Sequence, residues 1–470
     1  VAGKQKGRII MKRKEQEGNK KQALFRSMVK VKGKYIVTHA RWIVLDSLIF
    51  FLISIPANAL EVGKSDWKLN VRGFVATDSD FDQRNMGGSE PLFPPRDGTI
   101  EAEDNTFRFS ANQTQLGFGF EGPLKDGLFN RAYVEIDFLG GLADNRPNTP
   151  NPRLRHAYWQ LGWNKGNDSL LIGQTNVLYG DLLPDITFDN LNLALGSLFG
   201  REPQIRYTHV QPLGNGADIT FSGSVNAPNS GLFNQLGEID APTGSAESSS
   251  FPFFHGKIAY HTNALGRADY FGFEKGGDVP LELAFSGFYG REQFQDGVGR
   301  ADDVNAWGIA ASGIFPIKGI RENKRAGSVS VTGQFWFGKN IDSYFGGNGQ
   351  GVVQTINGKR DAIEGIGFFV TGKVFLTDRI WVTALYGQDD NDLDELVDAG
   401  IPFRIVSGLF TGTDFGAPGV DNAQNVNVTV WFQPINPLYI GIGWDYRKVE
   451  FNDGGEGDNN RLNISTFFNF

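Results

Sequence analysis

Leu438-Tyr439-Ile440-Gly441-Ile442-Gly443-Trp444-Asp445-Tyr446 decides the fold. Leu438, Ile440, Ile442, Trp444 and Tyr446 alternate with Tyr439, Gly441, Gly443 and Asp445. A period of two sends one set to each face of a β-strand, and no helix presents a face that way. The pattern recurs upstream. Val426, Val428, Val430 and Phe432 alternate with Asn425, Asn427, Thr429 and Gln433, and Ala132, Val134, Ile136 and Phe138 with Arg131, Tyr133, Glu135 and Asp137. Sixteen such segments are predicted, at 67–77, 105–121, 129–139, 153–163, 168–175, 203–210, 217–226, 253–261, 280–290, 303–315, 327–338, 364–376, 379–388, 423–433, 438–449 and 461–470.

The connections separate by parity. Odd-numbered ones are mostly long, whereas even-numbered ones are mostly short, down to Thr377-Asp378 and Pro434-Ile435-Asn436-Pro437. Long loops at one end and short turns at the other describe an up-and-down transmembrane barrel. Alternation alone cannot say which face is apolar. Size does, because about sixteen strands enclose a lumen too wide for side chains to fill. Apolar residues then face lipid and polar ones face water. Trp67, Trp163, Phe432, Phe468 and Phe470 fall on the outward parity at turn-side strand ends, where an interfacial girdle belongs. The last segment, Arg461 to Phe470, ends on an aromatic residue and has to close the sheet against the first.

Composition agrees and narrows the function classes. The 470 residues include 61 Gly and 39 Phe, which suits strands better than helices. Mean hydropathy of −0.28 with 21% charged residues excludes a polytopic helical membrane protein. The absence of Cys removes disulfides and thiol chemistry. Residues 1–59 read as a separate address. A lysine- and arginine-rich stretch leads into Leu48-Ile49-Phe50-Phe51-Leu52-Ile53 and then Ala57-Asn58-Ala59, the order of a secretory signal peptide, with Met28 as the expected start. The expected domains are therefore this removed extension and an exported barrel at 60–470. Residues 1–59 hold 13 Lys+Arg and 3 Asp+Glu, leaving 32 against 50 and a mature charge near −18. No nucleic-acid partner is expected of so acidic a chain.

Motifs for chemistry are few. Gly117-Phe118-Gly119-Phe120-Glu121-Gly122 has glycine spacing for a phosphate loop, but lies in a strand and runs into Pro123. Asp389, Asp390, Asp392, Asp394 and Glu395 form an acidic run without the central Gly and terminal Glu of a calcium loop, and read as a solvated external loop. His156, His209, His255 and His261 show no metal spacing, and no G-x-S-x-G elbow is present. No enzyme activity, metal or cofactor is expected. Residues 176–202, rich in Leu and Phe, would be a liability as an exposed loop and are expected to fold into the lumen as a constriction, with Asp181, Asp185 and Asp189 on one polar face.

Arg153-Leu154-Arg155-His156-Ala157-Tyr158, Leu171-Ile172-Gly173-Gln174-Thr175 and Pro203-Gln204-Ile205-Arg206-Tyr207-Thr208 resemble the signature strands of the DcaP-like porins of Gram-negative bacteria. The likeness is sharpest over about residues 105–210. It implies a homotrimer of sixteen-stranded barrels in the outer membrane, among lipid and lipopolysaccharide, passing small solutes with a preference for organic anions. Asn176 departs from the family, where an aromatic residue is usual, and the helical extension of some members is not expected ahead of the first strand.

The expected function is a passive, water-filled channel. A substrate-selective channel with a binding site and a plugged surface barrel or adhesin are the alternatives. Pore-lining candidates are Lys68, Arg72, Arg108, Arg131, His156 and Arg206 with Asp181, Asp185 and Asp189. Inward parity also takes in Lys257, Lys373, Arg447 and Arg461, against Glu135, Asp137, Asp218, Glu282 and Asp445, which predicts weak anion selectivity and a preference for small carboxylates.

Overall fold

A computed structural model describes residues 67–86, 93–122, 128–140, 151–184, 195–227, 244–245, 251–270, 277–295, 301–393, 397–398, 400–406 and 418–470. The expected signal segment at 1–59 with Met28, and Asp185, Asp189, Asp394 and Glu395, lie outside the described residues.

Sixteen antiparallel barrel strands follow one another: β1 Lys68–Asp82, β2 Thr106–Ser110 continued by Gln115–Glu121, β3 Phe129–Gly140, β4 Asn151–Trp163, β5 Asp168–Asn176 and β6 Arg201–Gly214 come first. Then run β7 Ala217–Asn226, β8 Phe253–Thr262, β9 Leu281–Gln295, β10 Ala301–Lys318 and β11 Val329–Lys339. The set ends with β12 Glu364–Phe375, β13 Ile380–Asp392, β14 Val420–Ile435, β15 Leu438–Phe451 and β16 Glu456–Asn469. Each pairs with its neighbours in sequence, and β1 pairs with β16 from Phe74↔Asn469 to Asp82↔Arg461, closing the cylinder. Phe470 finishes the seam: its N–H donates to Gly73 O at 2.9 Å and its carbonyl accepts from Gly73 N–H at 3.0 Å. Closure leaves no edge whose backbone groups would go unpaired in hydrocarbon.

The polarity of the wall is that of a membrane barrel. Outward positions such as Val75, Trp159, Ile205, Phe221, Phe285, Ile309, Phe335, Val430, Ile442 and Leu462 are exposed. Inward positions such as Thr332, Gln334, Thr383, Asn425, Asn427 and Asn463 are buried. A soluble fold could not carry so continuous an apolar exterior. Of the expected girdle, Trp67, Phe432, Phe468 and Phe470 are exposed.

Several strands run further toward the loop side than the alternation predicts, β1 to Asp82, β13 to Asp392 and β16 from Glu456. On the extensions of β13–β16 the outer face turns polar. Asn422 donates to Asp390 at 2.8 Å, and Lys448 pairs with Glu450 at 2.8 Å and Glu456 at 2.9 Å. Once both faces are polar the period-two signal disappears although the ladder continues. The acidic run is therefore partly strand: Asp389 is buried on the inner face, and Asp390 points outward.

Candidate functional site

The lumen is crossed by its own chain. Residues 177–200 leave β5, and the described parts Val177–184 and 195–200 lie on the inner wall. Tyr179 packs on Phe288 and Tyr344, with ring centroids 4.7 and 5.4 Å away. Asp181 takes Lys257 Nζ at 2.6 and 2.7 Å. On the return, Trp336 Nε1 donates to Gly196 O at 2.8 Å, Leu198 N–H donates to Gln334 Oε1 at 3.0 Å, and Leu195 N–H donates to Asn425 Oδ1 at 3.2 Å. Gly196 has φ +77 and sits where a Cβ would be 2.2 Å from Phe368 O, so only glycine lets the loop lie this close to the wall.

Opposite chemistry gathers on β1 and β3–β6. Regular alternation from Trp159 and Leu161 would send Arg153 and Arg155 into lipid. A β-bulge prevents it. Glu135 faces His156 while Ile136 faces Leu154, so Arg155 is an extra residue, and the phase of β4 reverses there. Arg153, Arg155 and His156 thus all turn inward, and Leu154 and Trp159 remain exposed on the outside. The neighbouring strand accommodates the kink. Gln174 Nε2 donates to Leu154 O at 2.9 Å. Gly173, at φ +132, stands where a Cβ would meet Ala157 O at 2.2 Å.

Arg153 clasps Asp137 through Nε at 3.0 Å and a terminal nitrogen at 2.7 Å. Arg155 bridges Glu135 at 2.8 Å and Asp137 at 2.9 Å. Arg201 stacks over Phe199 of the returning loop, 4.4 Å from the ring centroid. Arg72 donates to Tyr133 Oη at 2.9 Å and lies 4.2 Å over the same ring, while Tyr133 donates to Glu135. Arg206 donates to Gln204 Oε1 at 2.8 Å and to Asn176 O. His156 Nδ1 is 3.0 Å from Thr175 Oγ1. Such a wall presents more guanidinium groups than carboxylates.

The expected candidates do not share one environment. Lys68, Arg72 and Arg131 are exposed at inward positions, with Arg131 Nε donating to Gln160 Oε1 at 2.7 Å. Arg108 instead donates to Asp82 at 2.9 Å within a buried ladder at the seam. There Ser465 donates to Asp78 and Asn463 to Asp80, each at 2.5 Å, and Arg461 donates to Asp82 at 2.7 Å. Arg153, Arg155 and Arg201 were missed as lining residues. Two arginines on the apolar parity of a strand were the available signal, since that parity is tenable only if the strand is bulged. Among the described residues, no three His, Asp or Glu side chains gather in a way that could hold a metal ion.

A closed sixteen-stranded cylinder, apolar outside, charged inside and crossed by an in-folded loop, defines a transmembrane β-barrel of the outer-membrane type. Its fold is that of the DcaP outer-membrane channel of Acinetobacter baumannii, with a TM-score of 0.63 at 19% identity over 88% of this chain and 100% of that one. An anion-selective porin from Comamonas acidovorans (TM-score 0.48, 11% identity, 86% of this chain and 100% of that one) and OprB of Pseudomonas putida (0.48, 10%, 85% and 94%) are fainter likenesses that carry no weight. No family model matches the chain, and no curated protein does.

Proposed function

We propose that this protein is a DcaP-like porin of the Gram-negative outer membrane, a homotrimer whose protomers each form a passive channel for small hydrophilic solutes. The observation that carries the reading is the bulged β4, which turns Arg153, Arg155 and His156 into the lumen beside Arg72, Arg201 and Arg206. Fixed cations in a narrow aqueous passage with low-dielectric walls act strongly on passing ions. Arg153 and Arg155 are held by Glu135 and Asp137, and these pairs keep the bulge in shape. Arg72, Arg131 and Arg206, less enclosed, are the groups a carboxylate solute meets first. Asp181 is tied to Lys257 of β8, which fastens the in-folded loop to the wall by an ion pair.

Planar-bilayer recording tests this reading. Folded protein is expected to conduct, with a zero-current potential in a salt gradient on the anion side and a current that falls on adding a small dicarboxylate. Folded protein without conductance overturns it.

A further inference from the structure

Residues 263–280 join β8 to β9 at the end where the other connections are mostly short. Part of this turn folds back up the lumen. Ala268–Tyr270 and Gly277–Val279 pair as a small hairpin. Ala268 and Tyr270 are buried against Ile314, Phe369 and Leu385, inward residues of β10, β12 and β13. Asp269 accepts from Lys373 Nζ of β12 at 2.6 Å and faces Arg325 of the adjacent turn at 3.1 Å.

This hairpin meets the constriction loop arriving from the other end. Leu183 N–H donates to Tyr270 Oη at 2.9 Å, and Tyr270 Oη donates to Leu183 O at 2.8 Å. Leu182 lies in the same apolar cluster. A loop suspended across a wide lumen must satisfy its backbone and offset the entropy of being ordered. One phenol satisfies both polar groups of Leu183, and the cluster around it supplies apolar burial.

We propose that the in-folded turn is a second constriction element, and that it determines where the constriction loop stands and what charge the passage has there. Tyr270 is the positioning residue, and Asp269 with Lys373 sets the local charge. The inference rests on the porin reading above.

Single-channel recording on folded full-length protein tests it. Tyr270→Phe keeps the ring in its cluster and removes only the hydroxyl. It should raise conductance by about 1.5-fold and increase open-channel noise, with the heat-modifiable barrel unchanged. Asp269→Asn removes a negative charge from beside Lys373 and Arg325 and should raise the anion-to-cation permeability ratio roughly twofold, whereas Lys373→Met should lower it. Opposite shifts from two partners of one pair are not produced by a merely structural contact. If Lys373→Met does not fold, the other two variants decide. Folded Tyr270→Phe and Asp269→Asn channels with wild-type conductance and zero-current potential overturn the inference. A silent wild type overturns the porin reading instead.

Discussion

The seam between β16, β1 and β2 and the wall of β3–β6 are both charged on their inner faces, yet they use charge differently. At the seam, Asp78, Asp80 and Asp82 stand in register with Ser465, Asn463 and Arg461 across the last pairing of the barrel, and Arg108 completes the ladder from the other side. Apart from the half-buried Arg108 these groups are buried, and the hydrogen bonds run from strand to strand. On the β3–β6 wall, Glu135 and Asp137 are engaged by Arg153 and Arg155, and Arg72, Arg201 and Arg206 stand close by in addition. A balanced ladder fastens a wall. Several guanidinium groups gathered around Glu135 and Asp137 give the lumen a positive field there, and such a field can act on a solute.

That contrast is broken most forcefully at Asp82. Its side chain receives Arg461, Arg108 and Asn459. Asp82→Ala takes this carboxylate away from the buried Arg461 and the half-buried Arg108, and removing one partner of such a set costs about 3–5 kcal/mol. The expected outcome is loss of most folded, heat-modifiable barrel from outer-membrane fractions. Wild-type yield of folded Asp82→Ala would mean that the seam is held by its backbone ladder alone.

Gly173→Ala strikes the other region. The new Cβ meets the carbonyl oxygen of Ala157, next to the bulge, at a φ that side chains rarely adopt, and a strained position of this kind costs about 1–3 kcal/mol. Denaturant unfolding should show lower stability, and the refolded channel should lose anion preference as Arg155 and His156 shift. If stability falls while the zero-current potential stays fixed, the bulge has a structural role only.

How much of this was legible follows from the same two regions. Strand order, parity and closure could be read because lipid on one side and water on the other impose period two, as in Leu438–Tyr446. The in-folding expected of residues 176–202 was legible too for the described parts 177–184 and 195–200, from leucines that no exposed loop tolerates. Arg153 and Arg155 were not assigned to the lumen, since a strict period of two has no place for the extra residue of a bulge. Asp78, Asp80 and Asp82 lie beyond the predicted end of β1, where Thr77 and Ser79 interrupt the outward apolar set before Phe81 resumes it, and so went unseen. The in-folded turn gave no sign beyond its length, because Asp269, Tyr270 and Leu183 meet only in three dimensions.

Arg108 and Arg131 separate the two uses of charge within one pair of variants. Both were read as lining residues from the same parity, but Arg108 belongs to the seam and Arg131 is exposed in the lumen with a neutral partner, Gln160. Arg131→Ala should lower the anion-to-cation permeability ratio by up to about twofold with stability within about 0.5 kcal/mol of wild type. Arg108→Ala should do the reverse, lowering stability and scarcely moving the zero-current potential. Equal effects of both on selectivity would erase the distinction between seam and wall.

The smallest expected effect is at Asp378, a carboxylate like Asp82 but placed in water, in the turn between β12 and β13. It accepts backbone N–H groups from Ala326 at 2.8 Å and Arg325 at 2.9 Å. Those two hydrogen bonds favour the charged form and hold its pKa below the ordinary 3.8 of an aspartate. A depressed carboxylate stabilises the fold above its unfolded pKa, and that contribution is lost as pH falls through the folded value. Asp378→Asn should therefore lower the unfolding temperature slightly at neutral pH, and the difference from wild type should vanish in strong acid. Comparing the two proteins across an acid titration checks this. A difference that persists once the carboxylate is protonated would show that the turn depends on the shape of the side chain and not on its charge, and the contrast between a buried, multiply paired aspartate and an exposed one would then rest on Asp82 alone.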